Sequence, residues 1–137
     1  MLEHCQDPIG ALKNMLRVLR SAGVIYLSIP DKRQSFDRSR EITTTDHLIR
    51  DHEHGAQGSR LRHYEEWAEY VAGKPPSEIS AFAQEIMDRE YSIHFHVWDA
   101  SAFVDFLLFC QGALSLRFEI ELIQKNDFEV ISVLRKA

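Results

Sequence analysis

Residues 7–31 read DPIGALKNMLRVLRSAGVIYLSIPD, and this stretch decides the fold. Asp7 followed by Pro8 is a helix-start signal, and apolar residues then recur at helical spacing until a glycine at position 23 offers a stop. The run 24–29 is short, mostly apolar and closed by Pro30, which is typical of a strand buried on both faces. The stretch therefore predicts a helix over 8–20, a glycine turn and a buried strand.

The middle of the chain predicts a long connection followed by helices. Residues 31–58 are polar and predict a loop with a short helix near 46–50. Apolar residues recur at helical spacing over 61–71, and Ser77 can cap a further helix. Connections of this length are commonly lids or binding loops, although mobile segments without chemistry fit the sequence equally well.

The end of the chain predicts a last helix from Asp99 and then an antiparallel hairpin. Apolar residues alternate with charged ones over 116–122, and the run 128–134 is rich in β-branched residues. We expect one α/β domain over 1–137, with a short mixed sheet of about three strands, about four helices, and a helical and loop insertion at about 31–98.

Composition excludes several classes of protein. Sixteen basic and twenty-one acidic side chains give a net charge of −5, which argues against binding nucleic acid by general electrostatic attraction. No apolar run is long enough to span a bilayer and the start of the chain lacks signal-peptide features, so we expect a cytoplasmic protein without membrane contact. Cys5 and Cys110 have neither metal-type nor redox-type spacing and are interpreted as reduced thiols.

One family pattern fits the first thirty residues. Leu2-Glu3-His4, the Asp7-Pro8 helix start, the turn at Ala22-Gly23 and the strand ending at Pro30-Asp31 resemble the segment after the fourth strand of small-molecule S-adenosylmethionine-dependent methyltransferases. The resemblance implies a truncated Rossmann-like methyltransferase fold. In it, 24–29 would be the fifth strand, 99–111 the last helix, and the final hairpin the sixth and seventh strands.

The resemblance implies S-adenosylmethionine as cofactor and a small-molecule methyl acceptor. The family binds the cofactor chiefly through a glycine-rich loop after its first strand, and the six glycines of this chain do not supply that motif. We therefore expect a protein that is inactive alone, with residual cofactor contacts at Leu2, Glu3 and His4. The alternative is a non-catalytic oligomerisation or binding module derived from such an enzyme.

Four polar residues are candidates for contacting a substrate. Asp31 and Arg33 directly follow the predicted strand, and His94 and His96 precede the last helix. In an extended segment both imidazoles would lie on one side, where they could bind an acceptor, transfer a proton, ligate a metal or make only structural hydrogen bonds. The run Asp51-His52-Glu53-His54, together with this pair, has ligand types suitable for zinc, but no metal spacing is present, so no metal site is predicted.

The strand at 24–29 also predicts self-association. In the family the fifth strand pairs with the fourth on one side and the seventh on the other, and the fourth strand would lie upstream of Met1. One edge of 24–29 would then stay unpaired, and an apolar open edge is an association site. We expect a homodimer or strand-exchanged oligomer through this edge.

Overall fold

The computed structural model describes all residues, 1–137, as a three-stranded sheet with five α-helices. A short 3₁₀ turn over Leu2–His4 precedes α1 (Pro8–Val18) and β1 (Val24–Pro30), and two more such turns cover Lys32–Gln34 and Phe36–Ser39. The helices that follow are α2 (Thr45–His54), α3 (Gln57–Tyr70), α4 (Pro76–Asp88) and α5 (Ala100–Gly112), and the chain ends with β2 (Phe118–Asn126) and β3 (Glu129–Lys136). The expected α/β class and the C-terminal hairpin are confirmed.

The three strands lie in the order β1-β3-β2. β3 pairs antiparallel with both neighbours, so the expected mixed sheet is wrong and the sheet is wholly antiparallel. β1 is an edge strand, because it pairs with β3 alone. A mixed sheet would need a further strand that pairs with β1 in the same direction, and β1 has no such partner strand.

β1 is buried on one face only, which corrects the expectation of a strand buried on both. Ile25, Leu27 and Ile29 lie in the core opposite buried positions of β3, whereas Tyr26 is 64% exposed. The helices cover only one side of the sheet, so Tyr26, which lies between two buried residues of β1, faces solvent.

β2 contains a bulge that the alternating pattern did not reveal. Ile120 lies opposite Leu134 and Leu122 lies opposite Val133, so Glu121 is an extra residue in the pairing. Leu122 consequently falls on the exposed face of the sheet with Tyr26, instead of sharing the core face with Phe118.

Helix α1 begins as predicted and ends two residues early. The Asp7 carboxylate accepts a hydrogen bond from the Gly10 amide at 2.8 Å, and Pro8 occupies the first turn. The helix ends at Val18, and Ala22 rather than Gly23 adopts the left-handed conformation (φ 59°) in the turn before β1. Gly23 is needed for space, because a Cβ there would lie 2.8 Å from the Arg20 carbonyl oxygen.

Two expectations for the middle of the chain need correction. The segment expected to be mostly loop contains the ten-residue helix α2, capped by the Thr44 hydroxyl, which raises the helix number from about four to five. Ser77 does not cap α4, because that helix already begins at Pro76, whose fixed φ suits the first helical position. No helix is both long enough and apolar enough to cross a membrane.

Two apolar clusters hold the elements together. The larger packs α1, α5 and the inner face of the sheet around Trp98, Phe103 and Phe106. The smaller lies between α3 and α4 and contains Tyr64 and Phe95. These aromatic residues are thus core residues, and the segment 91–99 runs between the two clusters.

Candidate functional site

An Asp–His pair lies between the 3₁₀ turn that follows β1 and the extended segment before α5. His94 Nδ1 is 2.6 Å from Asp37 Oδ2, and the side chains are 11% and 3% exposed. Burial alone would raise the pKa of Asp37, but hydrogen bonds from His94 and Arg40 outweigh it and lower that pKa below its usual range. With Nδ1 donating to an ionised Asp37, Nε2 of His94 is free to take up a proton, the arrangement of a general base.

Arg40 fixes this pair in place and is itself fully buried. Its Nη1 donates to Asp37 Oδ1 and to the His94 carbonyl oxygen, both at 2.8 Å. Its Nε lies 3.5 Å from Glu66 Oε1, an ionic contact that lacks hydrogen-bond geometry. The guanidinium therefore ties the turn after β1 to the backbone of the segment 91–99, which sets the position of the His94 ring.

The N-terminal turn brings His4 to the same place. The Glu3 carbonyl accepts hydrogen bonds from the amides of Phe95 (2.7 Å) and His96 (3.3 Å), which joins the turn to the segment 91–99. The rings of His4 and His94 pack edge to face at 4.8 Å, and His4 Nδ1 lies 2.9 Å from the Ile93 carbonyl oxygen. Of the predicted site residues, Glu3, His4 and His94 thus lie together.

The other predicted residues lie elsewhere. Leu2 is fully buried in the larger core. Asp31 pairs with its neighbour Arg33 through contacts of 3.0 and 2.7 Å, and this hydrogen bonding lowers the pKa of Asp31. His96 does not share the surroundings of His94, although positions i and i+2 of an extended segment would lie on one side. Its ring packs instead near His47 of α2 and His63 of α3, in a second cluster.

That second cluster combines three histidines and one carboxylate from separate parts of the chain. His47 and Asp51 lie one turn apart on α2, His63 comes from α3, and His96 from the extended segment. His47 Nε2 is 3.1 Å from both His63 Nε2 and Asp51 Oδ2, and one nitrogen of each of the three rings lies within 4.8 Å of the others. Ser59 donates a hydrogen bond to Asp51 Oδ2 at 2.6 Å.

Two of these imidazoles are held neutral. Burial lowers the pKa of His63 to about 3, and the nearby His96 and His47 act in the same direction. Burial lowers the pKa of His96 to about 4, against a smaller opposing effect of its hydrogen bond to the Gln6 carbonyl. Both rings therefore present lone pairs at neutral pH.

Two polar concavities adjoin this cluster. One, of about 260 Å³, lies between α2, α3 and the segment before them, and is bordered by His47, His63 and Glu66. The other, of about 700 Å³, lies at the junction of α2 and α3 and is bordered by His47 and Asp51. Arg50 and Arg62 border both.

Sequence reasoning missed His47 and His63, and it named Asp51 only as part of the run 51–54. The His-x-x-x-Asp spacing over 47–51 was an available signal, because positions i and i+4 share one face of a helix. The pair that the sequence singled out lies apart from the cluster: His52 contacts Asp7 at 2.9 Å, and His54 is exposed and bonds only the Arg50 carbonyl.

Comparison with protein-family models, with characterised proteins and with solved structures finds no significant match to this chain.

The residues of this chain do not by themselves form a cradle for S-adenosylmethionine. Leu2 is inside the core, and the Glu3 carboxylate binds the Met1 ammonium group at 2.6 Å. Gly55 and Gly73, the glycines with positive φ, follow helices α2 and α3 rather than a strand. A dinucleotide-type loop needs glycine between a strand and a helix N-terminus, and neither of these glycines has that position.

Proposed function

We propose that this chain is the acceptor-side half of a methyltransferase-like domain of truncated Rossmann-like fold, and that it does not bind S-adenosylmethionine by itself. The observation that supports the proposal is the strand order β1-β3-β2 with β3 antiparallel between its neighbours. The resemblance to small-molecule methyltransferases implies this order for the fifth, seventh and sixth strands. The free edge of β1 then corresponds to the position of the fourth strand.

The N-terminal turn supports the same interpretation. This turn lies against β1, where the Met1 nitrogen is 3.4 Å from the Ser28 carbonyl oxygen. In open α/β sheets, ligands bind outside the carboxyl ends of the strands, and His94, with Glu3 and His4, lies against the turn that follows β1. These residues would face the acceptor.

The Asp37–His94 pair would supply the general base for methyl transfer. If the acceptor is a hydroxyl or amine, it must lose a proton as the methyl group arrives. His94 Nε2 would accept that proton, and Asp37 would stabilise the imidazolium through the 2.6 Å contact. The family resemblance implies a small-molecule acceptor, and the exposed Phe36 and His4 rings, which pack against His94, lie where such a molecule would approach.

Calorimetric titration with S-adenosylhomocysteine tests the cofactor part of the proposal. We expect no saturable binding at micromolar concentration, because the chain has no glycine loop to approach the ligand. Saturable, stoichiometric binding would instead mean that the chain assembles a donor site, and the half-site proposal would be wrong.

A ligand-observed NMR screen of small hydroxyl and amine acceptors tests the acceptor part. Binding should depend on His94, so His94→Gln should abolish it, whereas His54→Gln on the exposed end of α2 should not. An acceptor library without any His94-dependent binder would favour the non-catalytic alternative.

That alternative, an oligomerisation module derived from such an enzyme, also has a specific observation in its favour. β1 has an unpaired edge, and its exposed Tyr26 lies beside the exposed Leu122 of β2 across Val133 on the uncovered face of the sheet. Unpaired edges and apolar faces promote association. Light scattering at micromolar concentration should show a dimer or larger oligomer that Tyr26→Lys weakens, and a monodisperse monomer would count against it.

A further inference from the structure

The cluster around His47 has the ligand types and spacing of a metal centre. His47 Nε2, His63 Nε2 and Asp51 Oδ2 form a triangle with sides of 3.1, 3.1 and 3.9 Å. The point equidistant from the three atoms is about 2.0 Å from each, which equals the usual Zn–N and Zn–O bond lengths. A cation fits among these atoms without any of them moving far.

His96 completes the set from the opposite element. Its Nε2 lies 3.1 Å from the Gln6 carbonyl oxygen and donates to it, while its Nδ1 is buried and has no hydrogen-bond partner. A metal-binding histidine typically donates its other ring nitrogen to a carbonyl or carboxylate, which fixes the tautomer that leaves a lone pair toward the metal. The neutral ring of His96 therefore has its free lone pair on Nδ1, and one nitrogen of this ring lies within 4.8 Å of a ring nitrogen of His47 and of His63. The Ser59 hydroxyl holds Asp51 through a hydrogen bond of 2.6 Å.

The cluster is poorly explained as a purely structural network. A buried polar atom without a partner costs free energy, and Nδ1 of His96, the nitrogen that would bind the ion, has none. The second group of potential ligands in the chain, Glu3, His4 and His94, differs in this respect. There the Glu3 carboxylate is bound to the Met1 ammonium group and His94 Nδ1 to Asp37.

We propose that His47, Asp51, His63 and His96 bind a divalent transition-metal ion of the zinc type. Three imidazole nitrogens and one carboxylate oxygen are ligands that zinc accepts in tetrahedral sites. The two adjoining concavities give the ion a path from solvent, since His47 borders both. This site is separate from the Asp37–His94 pair and does not depend on the methyltransferase proposal.

One contact must change when the ion binds. The Arg50 guanidinium lies 3.4 Å from His47 Nδ1, which requires the ring proton on Nε2. Coordination through Nε2 moves that proton to Nδ1, so the exposed Arg50 side chain must turn away toward the concavities that it borders. Because this contact is long and exposed, its loss costs little free energy.

Zinc titration of the complete chain, purified without an affinity tag and stripped with a chelator, tests the site. In competition with a chromophoric chelator, we expect one Zn²⁺ per chain and an increased Tm on binding. His47→Gln and His63→Gln should each weaken binding at least about tenfold, since even outer-shell changes cost that much. His54→Gln removes an exposed histidine of the same helix and should leave affinity unchanged.

Cobalt provides a second readout that does not require any variant to fold. Co²⁺ added to the stripped chain should give the intense visible absorption of a four-coordinate site with nitrogen and oxygen ligands, and Zn²⁺ should remove it. Failure to bind stoichiometric Zn²⁺, a six-coordinate Co²⁺ spectrum, or equal affinity in His47→Gln and the unchanged chain would overturn the proposal. Loss of binding in His54→Gln to the same extent as in His47→Gln would also overturn it, because it would indicate that exposed histidines bind the metal.

Discussion

At the scale of single residues, Arg40 has the most demanding environment. Its side chain is fully buried, and Asp37, only 3% exposed, is its closest counter-ion. Removing one partner of such a pair leaves an uncompensated buried charge, which typically costs about 3–5 kcal/mol. Glu66 remains within 3.5 Å of the guanidinium and offsets part of the loss.

We therefore expect Asp37→Ala to lower the free energy of unfolding by about 3 kcal/mol in urea titrations followed by circular dichroism. Asp105→Ala, which removes an exposed carboxylate of α5 without an ion pair, should change stability by less than about 0.5 kcal/mol. Equal effects of the two substitutions would show that the buried pair does not stabilise the fold.

At the scale of secondary structure, two glycines in first helical turns should respond differently to the same substitution. A Cβ added at Gly58 of α3 would have no atom within 4 Å, whereas a Cβ at Gly10 of α1 would lie 2.3 Å from Asp7 Oδ2. Alanine is favoured over glycine in helices by up to about 1 kcal/mol. In α1 that gain is opposed by displacement of the Asp7 carboxylate, which caps the helix and contacts His52.

Gly58→Ala should thus raise the free energy of unfolding by about 0.5 kcal/mol, and Gly10→Ala should give no gain or a loss. Thermal and urea unfolding of the two variants under one set of conditions provides the comparison. A stabilising Gly10→Ala substitution would mean that the Asp7 cap adds little to α1.

At the scale of the whole molecule, the buried histidines make stability depend on pH. His63 and His96 have pKa values lowered from 6.5 to about 3 and about 4, so below pH 6.5 the unfolded chain binds protons that the folded chain does not. The free energy of unfolding should therefore fall as pH decreases from about 6.5 toward 4. The slope is up to about 1.4 kcal/mol per pH unit for each histidine.

Urea titrations at pH 7, 6 and 5, with a chelator present to keep metal away, measure this slope. His63→Gln should make the slope shallower, whereas His54→Gln should leave it unchanged because that side chain is exposed. A slope that is the same in the unchanged chain and in His63→Gln would contradict the neutral state of the cluster.

Features that depend on neighbours along the chain could be predicted from the sequence alone. The Asp7-Pro8 start predicted α1, and the alternation over 116–122 with the β-branched run 128–134 predicted the hairpin of β2 and β3. These features follow from local hydrogen bonding and the 3.6- and 2-residue periods, so they are visible in one short stretch at a time.

Which side chains meet could be seen only from how the elements pack together. Their packing placed β1 at an open edge, separated His94 from His96, and brought His47, His63 and His96 together from two helices and an extended segment. No local pattern specifies such contacts, because they depend on how α2 and α3 pack against the segment 91–99. Burial then gives these histidines their chemistry, since removing an imidazole from water is what keeps it neutral.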